Sequence, residues 1–220
     1  MGGVCPECWR DISFLAGPSC RCCAAPLEAD FGKNALCEVC IQDPPAWDRG
    51  AAGVEYEGVG RKLVLALKHG DRLDIAPLAA GWMARAAGDL VSEATLIAPA
   101  PLHWLRLARR RFNQSGELAR SLADLSNASE VLALDLLQRR RPTESQDGKT
   151  RAERRANVAD VFRLNPKWAR RVRGARVLLV DDVLTTGATL SECARVCRAA
   201  GAAEVNMVVM ARVAQGGAPA

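Results

Sequence analysis

No apolar run in this chain of 220 residues reaches the roughly 18–20 residues that a membrane-spanning helix requires. The N-terminus, MGGVCPECWR, has no basic segment followed by an apolar one, so no secretory leader is expected and the cytoplasm is the expected compartment. Aromatic residues make up only 5% of the chain, which leaves little material for a surface on which nucleobases could stack. Histidine occurs only at His69 and His103, and HExxH is absent, so a catalytic zinc centre is not indicated. GxxxxGK(S/T) is also absent, which excludes a P-loop nucleotide site. No internal repeat is present.

What is present suits a globular protein with one full core and a small appendage: 49% hydrophobic and 25% charged residues. The net charge of +5 mildly favours an anionic ligand, without choosing between a small phosphate compound and a nucleic acid. Arginines cluster at Arg106, Arg109, Arg110 and Arg111, at Arg139, Arg140 and Arg141, and at Arg151, Arg154 and Arg155. A solvated surface and an anion-binding surface fit these clusters equally well.

Seven of the nine cysteines fall in the first forty residues. In a reducing compartment, C-x-x-C pairs bind metal more often than they form disulfides. The spacing Cys20-x2-Cys23-x13-Cys37-x2-Cys40 supplies two thiolate pairs that close a tetrahedral four-sulfur site. Such a site leaves no open position, so the expected Zn2+ is structural and replaces the core that residues 1–45 lack. Cys5 and Cys8 form a third pair, a half-site without its partner, and Cys22 reads as a bystander. Cys193 and Cys197 lie four apart on an expected helix, where core packing is the plain reading.

Composition changes near residue 46, dividing a zinc ribbon (1–45) from a larger domain (46–220). Val54 to Glu57, Ala94 to Ala98, Asp160 to Leu164, Arg176 to Val180 and Glu204 to Val213 read as strands. Arg61 to Lys68, Ile75 to Leu90, Asn113 to Leu125 and Thr189 to Ala200 read as helices, while the polar stretch from Gln138 to Asn157 reads as a long mobile loop. Alternating strands and helices imply an α/β domain with a mostly parallel sheet.

The chemistry concentrates in VLLVDDVLTTGATL, Val177 to Leu190. Four aliphatic residues fit a strand buried on both faces, and ligands of open α/β sheets bind beyond the C-terminal ends of such strands, where Asp181 and Asp182 are expected. The following loop joins three hydroxyls, backbone N–H groups and a helix N-terminus into a phosphate cradle, and Gly187 admits close approach. Carboxylates beside a phosphate cradle suit a phosphorylated sugar whose ring turns cationic during reaction. The competing reading is a capped helix with solvated acids.

Asp181-Asp182-Val183-Leu184-Thr185-Thr186-Gly187-Ala188-Thr189 resembles the signature of the type I phosphoribosyltransferases: two acids, two more residues, then TTG-x-(S/T). From Cys5 to Val213 the chain resembles one branch, the ComF family of competence-related proteins. The resemblance rests on the cysteine-rich N-terminus, the Pro99-Ala100-Pro101-Leu102-His103 turn and Arg111-Phe112-Asn113-Gln114. It rests also on Thr143-x2-Gln146 and Arg154-Arg155-x-Asn157-Val158. The resemblance implies a mostly parallel sheet flanked by helices, with a small N-terminal zinc ribbon. It implies 5-phosphoribosyl 1-pyrophosphate (PRPP) with Mg2+ as ligand, and transfer of phosphoribose to an acceptor with release of pyrophosphate. Asp181 and Asp182 would be the catalytic pair on the ribose 2- and 3-hydroxyls, and Thr185, Thr186, Gly187, Ala188 and Thr189 would hold the 5-phosphate. Ala98, Pro99, Ala100 and Pro101 would lie near the pyrophosphate. A flexible loop carrying Arg141, Thr143, Gln146, Arg154, Arg155 and Asn157 would close over the site. Two alternatives stay open: a non-catalytic PRPP or nucleotide sensor, and a DNA-uptake adaptor that binds single-stranded DNA or a helicase partner.

Departures from the family pattern are Arg111 where glycine is usual and Ala24 where glycine often follows the second knuckle cysteine. Longer family members carry a further C-x-x-C upstream of the Cys5–Cys8 pair. The expectation is therefore a double ribbon shortened at its N-terminus, or a start codon assigned too late.

Overall fold

The computed structural model describes residues 3–69, 72–102, 112–140 and 150–214. Arg141, Thr143 and Gln146 of the expected closing loop lie outside the described residues, as do His103 and Arg111 and the side chain of Arg155. The strands are β1 (Gly50–Glu55), β2 (Leu96–Pro99), β3 (Leu137–Arg139), β4 (Phe162–Leu164), β5 (Arg176–Leu184) and β6 (Glu204–Arg212). Four of them form one parallel sheet in the order β1-β6-β5-β2, and β3 and β4 form a separate antiparallel pair. The helices are α1 (Pro6–Arg10), α2 (Glu38–Gln42), α3 (Gly58–His69), α4 (Ile75–Ala87) and α5 (Asp89–Glu93) in the first half. They continue as α6 (Gln114–Leu125), α7 (Arg151–Val158), α8 (Ala169–Val172) and α9 (Ala188–Ala199). None of the described helices is long and apolar enough to cross a membrane.

The sheet separates two apolar cores, and β5 feeds both, as a strand buried on both faces must. Val177 and Leu179 enter one core while Leu178 and Val180 enter the other, all fully buried. On the second face lie α3, α4 and α6, through Leu67, Met83, Leu118 and Leu122. On the first lie α9, through Leu190, Cys193 and Cys197, and the knuckle cysteines of the ribbon, while the ribbon's Ile12 joins the second core. Cys193 and Cys197 are thus core residues, as their helical spacing suggests. The helices that follow β2 and β5 therefore lie on opposite faces of the sheet. Between these two neighbouring strands is the topological switch point, where the sheet opens a crevice beyond its C-terminal edge.

Several expectations need correction. β5 does not end at Val180: Asp181, Val183 and Leu184 stay in register with Val209, Ala211 and Arg212 of β6, so the acids lie within the strand. On the other side the pairing does stop, because β2 ends at Pro99 opposite Val180 and its last bond runs from the Ala100 N–H to the Val180 carbonyl at 2.8 Å. The acids thus sit where β5 keeps one neighbour and has lost the other. The segment from Gln138 to Asn157 is not one loop, since β3 occupies its start and α7 its end. Thr150 and Glu153 close a capping box at the α7 N-terminus. The expected helix from Ile75 to Leu90 breaks at Gly88 into α4 and α5. β4 is shorter than Asp160 to Leu164, and β1 begins earlier, at Gly50.

Metal chemistry is not the only thing that holds the ribbon. Cys20, Cys23, Ala24, Ala25, Cys37 and Cys40 share a core with Val205 and Met207 of the sheet. A Cβ at Gly50 would collide with the Cys22 carbonyl, so that position must be glycine for the ribbon to seat on β1.

Candidate functional site

At the crevice, Asp181 and Asp182 meet side chains from two remote helices. Ser115, at the start of α6, donates its hydroxyl to Asp181 Oδ1 at 2.7 Å, and the Asp182 N–H donates to the same oxygen at 2.9 Å. Lys68, near the end of α3, stands 3.3 Å from Asp182 Oδ1, with both side chains mostly buried. Burial first, and then the charge of Asp182, push the Asp181 carboxyl up to about 7. The Ser115 hydroxyl, the Asp182 N–H and the Lys68 charge pull it back. The pair is an anionic, hydrogen-bond-accepting surface that already attracts a cation.

Beyond the acids, residues 185–187 turn into α9. Gly187 is the N-cap, with φ 74°, the left-handed conformation that side-chain-bearing residues rarely adopt. Its Cβ, were it present, would lie 2.6 Å from Cη2 of Trp47. Asp181 and Thr185 to Thr189 line a cavity of about 50 Å3 at the α9 N-terminus. One water needs roughly 10–15 Å3 and a whole organic ligand roughly 300 Å3 or more, so this cavity suits a single small anionic group. Helix N–H groups, the positive end of the helix dipole and threonine hydroxyls give it the right polarity.

On the first face of the sheet, the Sγ atoms of Cys20, Cys23, Cys37 and Cys40 lie within 4.8 Å of one another, and all four residues are buried. Cys23 and Cys37 are 3.6 Å apart. Tetrahedral zinc with bonds of about 2.3 Å sets its sulfurs about 3.8 Å apart, so the cluster fits the ion. Hydrogen bonds from Cys23 and then Cys40 pull the Cys20 thiol well below its ordinary range, and the same contacts push Cys23 and Cys40 up, because close thiols share their protons unequally. Arg212 of β6 donates Nε to the Cys23 carbonyl at 2.8 Å and brings its guanidinium 3.8 Å from Cys23 Sγ, a charge that compensates the thiolates. Cys5 and Cys8 are exposed and stay outside the cluster, and Cys22 turns its thiol to the Asp48 carbonyl at 3.4 Å.

Residues 88–220 match the family described as phosphoribosyl transferase domain, and residues 1–45 match the double zinc ribbon domain. DNA utilization protein YhgH of Salmonella typhi is 31% identical over 217 residues, covering 96% of this chain and 90% of that protein. Competence protein F of Haemophilus influenzae is 28% identical over 218 residues, with the same coverage. The chain belongs to the phosphoribosyl transferase domain family, in its competence protein F branch. The four-thiol cluster is accordingly the structural zinc site of its ribbon.

Against that family frame, the acids and the threonine loop stand together at one crevice. Ala98 lies deep in β2, fully buried and paired with Leu179, so it supports the crevice floor; Ala100 and Pro101 stand at its rim. Arg154 and Asn157 are on α7, which packs against α9, and Arg154 is buried. Lys68, Ser115 and Trp47 were not singled out from the sequence. The motif Phe112-Asn113-Gln114 held the only nearby signal. Asn113 donates its amide to the Ala100 carbonyl at 3.2 Å and Gln114 donates to the Lys68 carbonyl at 3.3 Å. These two amides tie the start of α6, which carries Ser115, to the segment after β2 and to the end of α3, which carries Lys68.

Proposed function

We propose that the chain binds PRPP with Mg2+ at the acid pair and threonine loop and transfers phosphoribose to an acceptor, releasing pyrophosphate. The carrying observation is the pair Asp181–Asp182 held open at the switch point, beside an anion-sized cavity at a helix N-terminus. Thr185 to Thr189 bind the 5-phosphate through N–H and hydroxyl donors. Asp181 and Asp182 accept the ribose 2- and 3-hydroxyls, and their negative charge stabilises the cationic ring as the C1–O bond to pyrophosphate breaks. Ala100 and Pro101 border the departing pyrophosphate. Asp181 and Asp182 would hold Mg2+ at the site together with the ligand, and its charge would ease departure of the leaving group. Oxygen donors of this kind, on a surface that already draws Lys68 to 3.3 Å, fit such a hard cation. Of the residues expected to close over the ligand, Arg154 and Asn157 stand on α7 and Arg155 lies in the same helix, while Arg141, Thr143 and Gln146 lie outside the described residues.

The relatives' names attach them to competence and DNA utilization, which supports a second reading for this chain: an adaptor in DNA uptake, with single-stranded DNA or a helicase as partner. Trp9, Phe14 and Trp82 do cluster, with ring centroids 5.1–6.0 Å apart, but Trp82 is buried and only Trp9 is substantially exposed. This cluster therefore offers one stacking position, and Phe31 of the ribbon is exposed outside it.

Calorimetric titration of PRPP into the zinc-loaded protein separates the readings. The transferase-site reading predicts binding that requires Mg2+ and falls at least about a hundredfold in Asp181→Asn/Asp182→Asn, the worth of two charge-assisted hydrogen bonds. Absence of PRPP binding, together with DNA affinity that collapses with salt, would favour the adaptor.

A further inference from the structure

One side chain of the linker between ribbon and sheet touches both the zinc knuckle and the phosphate loop. Trp47 is 5% exposed and lies in the core that the ribbon shares with the sheet. Its indole N–H donates to the carbonyl of Cys22, inside the Cys20–Cys23 knuckle, at 2.7 Å. The far edge of the same ring abuts Gly187, whose absent Cβ would lie 2.6 Å from Cη2 and 3.3 Å from Cζ3. The ring is therefore a rigid strut from a zinc-ligand turn to the N-cap of α9. Its base is fixed as well. The Asp48 N–H donates to the Val205 carbonyl at 2.7 Å, and Arg49 N–H donates to Asn206 Oδ1 at 3.1 Å.

A second connection arrives at the other end of the phosphate loop. Arg212, bonded to the Cys23 carbonyl, stands in register with Leu184, the last residue of β5 before the loop. The loop between Leu184 and Gly187 is thus braced at both ends by residues that also brace the knuckle cysteines.

We infer that Trp47 is a positioning residue for 5-phosphate binding, coupling zinc occupancy of the ribbon to the order of the phosphate loop. The inference rests on the reading that this loop holds the 5-phosphate of PRPP. Zinc fixes the Cys22 carbonyl; the carbonyl fixes the indole; the indole holds Gly187 in its left-handed conformation, with the α9 N–H groups aimed at the cavity. Coupling between sites is reciprocal, so PRPP must tighten zinc by the factor by which zinc tightens PRPP.

The test uses the full chain and reads two affinities, neither of them activity. Zinc affinity is measured by competition with a chromogenic chelator, with and without Mg2+–PRPP, and again with ribose 5-phosphate, which offers only the phosphate and the hydroxyls. PRPP affinity is measured in parallel at graded zinc loading. The wild type is expected to show a coupling of about three- to tenfold, the worth of one buried hydrogen bond. Trp47→Phe keeps a ring against Gly187 but removes the N–H donor, and its coupling is expected to fall towards one while both ligands still bind. A purely structural role would lower Tm and leave the coupling factor unchanged, which would overturn the inference. Should Trp47→Phe lose zinc altogether, the wild type carries the test alone, and equal PRPP affinity at half and full zinc loading overturns it. A wild type that does not bind PRPP overturns the functional reading and this inference with it. PRPP binding without coupling overturns this inference only.

Discussion

Asp181 sets the pH sensitivity of the proposed site. Its carboxyl is pushed up to about 7 by burial and by the adjacent Asp182. A carboxyl with a raised folded-state pKa binds its proton more tightly folded than unfolded. It therefore destabilises the fold progressively as pH climbs from about 4 to 7, with the penalty complete above that window. Ligand hydroxyls need the ionised form. PRPP affinity should accordingly rise between about pH 6 and pH 8 and then level off. Ser115 donates to the ionised carboxylate, so Ser115→Ala removes a stabiliser of that form and should move the midpoint upward by about one unit. Titrations over this pH range measure both effects, and a midpoint that stays in place or moves down contradicts the assignment. Lys68 and Ser115 themselves were illegible in the sequence. Each reaches the acids from a helix far away along the chain, and nothing in local spacing marks which polar residue on a helix will turn inward.

The elements show where sequence signals suffice and where they fail. Aliphatic run, acids and TTG loop identified β5 and α9, and the C-x-x-C spacing identified the zinc cluster. The end of β5 was misjudged because adjacent charges look like a stop signal, yet backbone pairing with β6 continues whatever the side chains are. The Gly-Ala-Ala-Gly start of β1 carries no alternation, since Gly50 answers to the close approach of the ribbon and Gly53 to that of Trp82 on α4. For α7, polar composition obscured a capping box that is present in the residues themselves. Gly187 is the position where element geometry and chemistry coincide. Gly187→Ala must strain a left-handed backbone and meet the Trp47 ring, so it should cost at least about 1 kcal/mol of stability and weaken PRPP binding at least about tenfold. Thermal unfolding and calorimetry check the two numbers separately; unchanged affinity would remove the loop from the binding site.

At the scale of the molecule, the sheet divides two cores, and the ribbon feeds both, its knuckle cysteines entering one while Ile12 enters the other with Phe14 packed against it. Sequence reading treated residues 1–45 as an appendage held by metal alone, because too few aliphatic residues occur there to form a core by themselves. The structure adds the missing partners from β6 and α4, with Arg212 on the Cys23 carbonyl and Trp82 against Trp9 and Phe14, contacts that no local pattern encodes. The crevice between β2 and β5 then follows from topology: helices leave these neighbouring strands towards opposite faces, and the acids stand in the gap. The most direct test of this account is a crystal structure of the zinc-loaded protein with PRPP and Mg2+. The account predicts the 5-phosphate between Thr185 and Thr189, the ribose hydroxyls on Asp181 and Asp182, and the pyrophosphate beside Ala100 and Pro101. An empty crevice at saturating ligand, or PRPP bound elsewhere on the molecule, would contradict it.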